Sequence, residues 1–359
     1  MKKTIILFVT LFAACGAAFA QKVNKSELRQ LQNFLNQPAA EAVSNAAALN
    51  ITDLSNPASW EGVKIENGRV VEINWSGKKL AGNLDLTNFT ALRSANLNNN
   101  RLTSLTVTND AALTYLNAGR NRLSELTVNS NPALKDLRVY RNKLTDIDLS
   151  NLPSIQRLNI SGNGLVALNV SSAPTLTYLN CMNNNLEELT LDGCTSLKTL
   201  YAGYNRIEEL AFTALPKLEN VNLDNNRIRK LYMNNLPSLF TVMCSDNHMT
   251  EFAINNCPNV NDVDAAYNDL TTFGVDNCPN LAFVNLAWND LTYLNLSNQS
   301  YLQRLNVANN QLITLDVTFD PLLSYVNLGG NYTLSDFRTQ GDDNLRIVRG
   351  SWDDFDAAI

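Results

Sequence analysis

The feature that most restricts this chain is polar. Twelve asparagines, Asn100, Asn121, Asn142, Asn163, Asn184, Asn205, Asn226, Asn247, Asn268, Asn289, Asn310 and Asn331, follow one another at intervals of 21 residues without a slip. A domain closed around a single core has no reason to repeat a polar residue so strictly. A coil of stacked turns does, because each turn must satisfy the same backbone groups in the same place. One amide carries donors and an acceptor, so each asparagine can serve its own loop and the next turn. Stacked along the coil, the side chains are expected to form an amide ladder.

The apolar residue eight places before each asparagine is position 1 of a turn (Leu92, Leu113, Leu134 and onward). Position 4 is then aliphatic, as in Leu116, Leu137 and Leu158, and position 6 is small or aliphatic, as in Ala118, Val139 and Ile160. Positions 11, 14 and 16 are apolar again, for example Leu123, Leu126 and Val128. The alternation at 4 and 6, and again at 14 and 16, predicts two short extended segments per turn, each with one buried face. Nothing has the 3.6-residue period of an amphipathic helix. Pro132, Pro153, Pro174, Pro216, Pro237, Pro258, Pro279 and Pro321 all fall at position 20, where a residue without an N–H suits a corner that needs no ladder bond.

The motif Leu-x-x-Leu-x-Leu-x-x-Asn-x-Leu resembles the leucine-rich repeat family over about residues 70–338. Eleven unbroken units run from Leu92 to Leu322, after a 22-residue unit from Val70 to Ala91; the last unit, from Leu323, drifts by one residue beyond Asn331. The resemblance implies a β-rich solenoid, a right-handed horseshoe with positions 3 to 7 forming a parallel sheet on its concave side. At about 4.8 Å per rung, about 13 turns extend roughly 60 Å along the curve. So short a period leaves no room for a convex helix, which resembles the short bacterial class, internalin-like proteins among them.

Residues 1–20 read as an export signal: Lys2 and Lys3, an apolar run from Thr4 to Ala14, and Ala18-Phe19-Ala20 as a small-x-small cleavage site. A rival reading lipidates Cys15, since Phe12-Ala13-Ala14-Cys15 loosely resembles a lipobox. Extracytoplasmic localisation after cleavage near Ala20 is the expectation. The mature chain is expected to carry no membrane span.

Residues 21–69 are expected to form a small helical cap. Asn24 with Glu27 suggests a capping box, Leu28, Leu31, Phe34 and Leu35 make one apolar stripe, and Pro38 starts a second helical piece through Ala48. Ser59-Trp60-Glu61-Gly62-Val63 is similar to the segment leading into plant-type repeats, without their cysteine pair. Residues 339–359 are expected to cap the far end, with Leu345-Arg346-Ile347-Val348 pairing on the last rung; no sorting or anchor module is read after it.

Cys181 and Cys244 occupy position 6, and Cys194, Cys257 and Cys278 occupy position 19. Other turns place small or aliphatic residues at position 6, and several place Ala or Leu at position 19, so buried free thiols are expected; Cys257 and Cys278, on adjacent rungs, are the one pair worth testing for a bridge. Charged residues make up 17 % of the chain and the net charge is −6. Loss of Lys2 and Lys3 makes it more acidic, which argues against a nucleic-acid partner.

The catalytic inventory is thin. His248, the single histidine, reads as an exposed loop residue. No nucleophile elbow, phosphate loop or zinc-protease motif occurs, and no cofactor or metal is expected. Asp262 and Asp264, at positions 3 and 5 and about 7 Å apart, are the only pair that suggests acid–base chemistry or calcium binding.

Positions 3, 5, 7, 8 and 10 are expected to face the concave side or its rim. In the early turns they collect Arg101, Arg120, Arg122, Arg138, Arg141, Lys143 and Arg157 against Asp136. In the late turns they collect Asp246, Asp262, Asp264, Asp269 and Asp290 against Arg304. Tyr178, Tyr201 and Tyr204 lie between these zones, and Tyr267, Phe283, Trp288 and Tyr325 lie in or beside the acidic one. Exposed aromatics flanked by fixed charge suit a partner site. Tyr178, Tyr201, Tyr204, Asp262, Asp264, Tyr267, Phe283, Trp288, Asp290 and Tyr325 are therefore the candidate binding residues. The expected function is an exported, monomeric, non-catalytic protein that binds a protein partner. The alternatives are a glycan-binding protein using the same aromatics and, third, a polysaccharide-acting enzyme using Asp262 and Asp264.

Overall fold

The computed structural model describes residues 23–171, 173–341 and 345–348; the export signal and Cys15 lie outside them. The chain is a parallel β-solenoid of about 13 turns. One long sheet of 15 strands runs its whole length. Each turn contributes a three-residue strand, such as Thr199–Tyr201, Asn220–Asn222, Thr241–Met243, Asp262–Asp264 and Phe283–Asn285, paired in parallel with the equivalent residues one turn on. The other side carries four shorter ladders, one of them formed by Lys230–Asn234, Glu251–Asn255 and Thr272–Asp276. The core fills the space between: Leu116, Leu137, Leu179, Leu200 and Val242 at position 4 are fully buried, as are Leu123, Leu186 and Ile228 at position 11. Burying each such side chain is worth about 1.5–3 kcal/mol. The one-residue drift near the end is visible in pairing, since Thr314 faces Asp336.

The asparagine ladder differs from the expectation in one respect. These amides do not bond one another. Asn226 is typical: its Nδ2 donates to Leu223 O in its own turn (2.9 Å) and to Ala202 O in the preceding turn (3.1 Å), while its Oδ1 accepts from Ile207 N (3.1 Å). The same three bonds recur from Asn100 to Asn331. Each amide therefore ties its turn to the one before it through backbone groups that the coil leaves unsatisfied.

Two places in each turn enter the left-handed backbone region. Position 8 does so at Asn99, Arg120, Arg141, Asn183, Tyr204, Asn225, Asp246, Tyr267, Trp288 and Asn309, with φ between 53° and 57°, and at Gly162 and Gly330. Position 18 does so at Asn109, Asn235, Asn256, Asn277, Asn298 and Phe319, among others. These are the corners that turn the chain into and out of the core.

At the N-terminus, helix α1 (Lys25–Leu35) buries Leu31, Phe34 and Leu35. Phe34 stacks on Trp75 at 5.9 Å. Asn24 caps α1 by accepting from Ser26 N and Glu27 N. The expected capping box is incomplete, because Glu27 turns away to Arg69 Nε (2.7 Å) and Val70 N (3.0 Å). The second helical piece is also shorter than expected: α2 covers only Asn45–Ala48, capped by Ser44. The outermost strand of the long sheet is the antiparallel Val63–Glu66, paired with Arg69–Asn74. At the other end Arg346–Val348 pairs with Tyr325–Asn327 as the last rung; the remainder of that segment lies outside the described residues.

Candidate functional site

The long sheet is polar, but its outward positions are less free than the sequence suggests. Position 5 carries a second amide series: Asn96, Asn117, Asn159, Asn180, Asn222, Asn285, Asn306 and Asn327 each accept, through Oδ1, from the backbone N–H two residues on. Such Asx turns close the strand into its corner. Asp264 holds that place in its own turn. It accepts from Ala266 N (3.0 Å), Ser245 Oγ (2.7 Å) and Asn285 Nδ2 (3.2 Å). Its carboxylate is therefore part of the turn, and this weakens its pairing with Asp262 for acid–base chemistry. Burial, reinforced by Asp264, pushes the Asp262 carboxyl up.

Position 7, expected at the rim, is buried in five turns. Ala266, Ala287 and Ala308 stack in a closed row, and Gly119 and Gly203 are buried too. At Gly119 a Cβ would lie 2.4 Å from the Tyr140 ring. Tyr140 uses that space to lie across the sheet and accept from Asn98 Nδ2 two turns back (2.9 Å).

The candidate residues divide into three groups. Tyr178 and Tyr201 sit on adjacent rungs, edge to face at 5.9 Å, with the Arg157 guanidinium 4.4 Å from the Tyr178 ring centre. Asp262, Phe283, Arg304 and Tyr325 follow one another at position 3 of consecutive rungs, and Arg304 lies 5.9 Å from the Phe283 ring centre. Tyr267 and Trp288 leave the ends of adjacent strands and stack on each other, with ring centres 5.6 Å apart and planes within 9°. Tyr204 shares their position three turns earlier and is 52 % exposed. Asp290 is at the same edge and accepts from Gln311 Nε2 (2.7 Å). The ten residues thus do not form one patch.

The expected segregation of charge is blunted at its basic end. Arg138 is bidentate on Asp136 and rests 5.4 Å from the Tyr115 ring centre, and Arg101 pairs with Glu41 at 2.9 Å. His248 is exposed, 3.7 Å from Asp269.

The five cysteines among the described residues are buried and free. At position 19 their thiols reach the carbonyl of position 16 in the previous turn, as Cys194 Sγ does to Val170 O at 3.2 Å. Burial pushes Cys181 up to about 12 and Cys194 to about 11, so both stay as thiols. Among the described residues no cluster of His, Cys, Asp and Glu could hold a metal. No helix among them is long and apolar enough to cross a membrane.

The repeat, its asparagine series and the solenoid are those of the leucine-rich repeat fold. The family model described as leucine-rich repeats (2 copies) matches residues 195–238. Among solved structures, the chain is similar to the functional domain of InlJ from Listeria monocytogenes, at 24 % identity and a TM-score of 0.53, covering 79 % of this chain and 58 % of that one. YopM from Yersinia enterocolitica is 26 % identical, with a TM-score of 0.52, covering 72 % of this chain and 51 % of that one. The internalin InlF of Listeria monocytogenes is 17 % identical with a TM-score of 0.51, covering 90 % and 95 %. The chain therefore spans little more than half the length of the InlJ and YopM structures. No match was found among curated protein sequences. The fold is that of the bacterial internalin-like repeat proteins, and such solenoids commonly serve as scaffolds for protein–protein binding.

Proposed function

We propose that this is an exported, monomeric, non-catalytic binding protein whose principal anchor for a protein partner is the Tyr267–Trp288 edge. The supporting observation is a conflict between side chain and backbone. At position 8 the left-handed corner is filled by Asn or Gly in half the turns: Asn99, Gly162, Asn183, Asn225, Asn309 and Gly330. A bulky side chain there costs roughly 1–2 kcal/mol. Tyr267 and Trp288 nonetheless sit there at φ 55° and 56°, 40 % and 45 % exposed. Their backbones are fixed by Tyr267 N to Ala287 O (2.9 Å) and Trp288 N to Ala308 O (2.8 Å). An outward aromatic pair on a rigid, strained corner suits the centre of a binding site. Position-3 residues Asp262, Phe283 and Tyr325 extend the surface inward, with Asp290 at its rim, and Tyr178, Tyr201 and Tyr204 provide the far margin. Export follows from the reading of residues 1–20, and the mass of the mature N-terminus distinguishes cleavage after Ala20 from acylation of Cys15.

The test is a Tyr267→Asn/Trp288→Asn double variant, in which each new residue tolerates the left-handed corner. Used as bait against extracytoplasmic proteins, the parent is expected to retain partners that the variant loses, with melting temperatures within a few degrees. Identical retained proteins would remove the proposal.

A further inference from the structure

We infer that a second site, on the opposite edge of the long sheet, binds a neutral polysaccharide chain. Tyr267 and Trp288 lie where the chain leaves the sheet. Where it enters the sheet there is a trough of about 550 Å³ walled by Phe240 and Tyr301. Phe240 and Tyr301 are 50 % and 52 % exposed. They flank position 1 of turns that are three rungs apart, so the walls are separated by roughly 14 Å along the coil. The floor between them carries Asn259, Asn261 and Asn280.

The floor amides are already oriented. Asn259 Nδ2 donates to Pro237 O (2.7 Å), Asn280 Nδ2 to Pro258 O (2.8 Å) and Asn261 Nδ2 to Asn280 O (3.0 Å). With one N–H of each amide held by backbone, the side chains are fixed in orientation and present an oxygen acceptor beside a second N–H, which suits a ligand rich in hydroxyls. Fixed acceptors also reduce the ordering cost of binding. Among the described residues, Glu219 is the charged residue in the lining, and it is held by Lys198 at 2.7 Å. An anion finds no unpaired cation in that lining and a cation finds only this neutralised carboxylate.

The same turns continue the amide surface around the corner, where it also includes Asp276, which accepts from Asn277 Nδ2 (3.4 Å). Asn255 Nδ2 bonds Asn234 Oδ1 (2.9 Å), Asn256 Nδ2 bonds Asn235 Oδ1 (3.2 Å) and Asn277 Nδ2 bonds Asn256 Oδ1 (2.9 Å), all exposed. Aromatic walls that cover the apolar faces of sugar rings and a floor of oriented, uncharged amides together fit an extended uncharged glycan. This site rests on residues separate from the Tyr267–Trp288 edge, so either can fail without the other.

The test is titration calorimetry of the full chain with cellohexaose, maltohexaose, mannohexaose and xylohexaose, with oligogalacturonate and a mixed-sequence peptide pool alongside. At least one neutral hexaose is expected to bind, and Phe240→Ala and Tyr301→Ala are each expected to weaken it about tenfold. Both side chains are half exposed, and circular dichroism melts check that the variants fold. The Tyr267→Asn/Trp288→Asn variant is expected to bind the sugar unchanged. Three results would overturn the inference: no neutral hexaose binding at about 5 mM, binding confined to oligogalacturonate or peptide, or hexaose affinity unchanged in a Phe240→Ala/Tyr301→Ala variant.

Discussion

Each ladder asparagine satisfies three backbone groups that no strand bond reaches, and this makes single substitutions expensive. Asn226→Ala leaves Ile207 N–H without its acceptor and takes one of two amide donors from each of the Ala202 and Leu223 carbonyls, which keep Asn205 and Asn247. The expected loss is about 1–3 kcal/mol, read as a lower urea midpoint. The same logic applies at position 19. Asn131 there donates to Val107 O (2.8 Å) and Val128 O (2.7 Å) and accepts from Asp110 N (3.0 Å). Asp110 holds that position one turn earlier and is wholly buried. Burial raises its carboxyl to about 7, against the opposing pull of the Phe89 backbone N–H. A folded carboxyl that holds its proton more tightly than the unfolded one gives stability that is full below about pH 4 and lost as pH rises through about 7. Asp110→Asn is therefore expected to melt higher than the parent at pH 8, with the difference shrinking towards pH 4. A constant difference across thermal melts in that range would contradict this assignment.

At the scale of the turn, conformation is repeated where chemistry is not. Position 8 holds Arg, Asn, Asp, Tyr, Trp and Gly, yets its described members share one left-handed backbone. Tyr204→Asn is expected to raise stability by about 0.5–1 kcal/mol by relieving that strain, and denaturant unfolding reads the sign. The two-strand turn, the inward leucines and the ladder asparagine were legible in the sequence because each rests on one residue type at one spacing. The corner was not, although Asn or Gly in half its turns was the available signal. The position-5 asparagines were missed for another reason. Their identity is regular, but on a strand face they read as solvated variation, and only their bonds to the following N–H reveal the turn. Asp264 was misread with them, since a carboxylate replacing a turn-forming amide resembles a free acid in sequence. The Phe240–Tyr301 trough escaped because positions 2 and 21 flank the strand and were not counted among outward sites.

Across the whole molecule, the two edges of the long sheet differ. One carries strained aromatics beside Asp246, Asp269 and Asp290, and the other carries neutral amides between Phe240 and Tyr301. The early arginines contribute less than their number suggests, because Arg101 and Arg138 are paired with Glu41 and Asp136. The edge reading is tested most directly by placing a photo-crosslinking phenylalanine at Trp288 and, separately, at Tyr293, which is exposed on the short-ladder side. Each protein is irradiated among extracytoplasmic proteins under identical conditions. The account predicts a discrete protein adduct from position 288 and none from position 293; adducts from 293 alone, or equally from both, would contradict it.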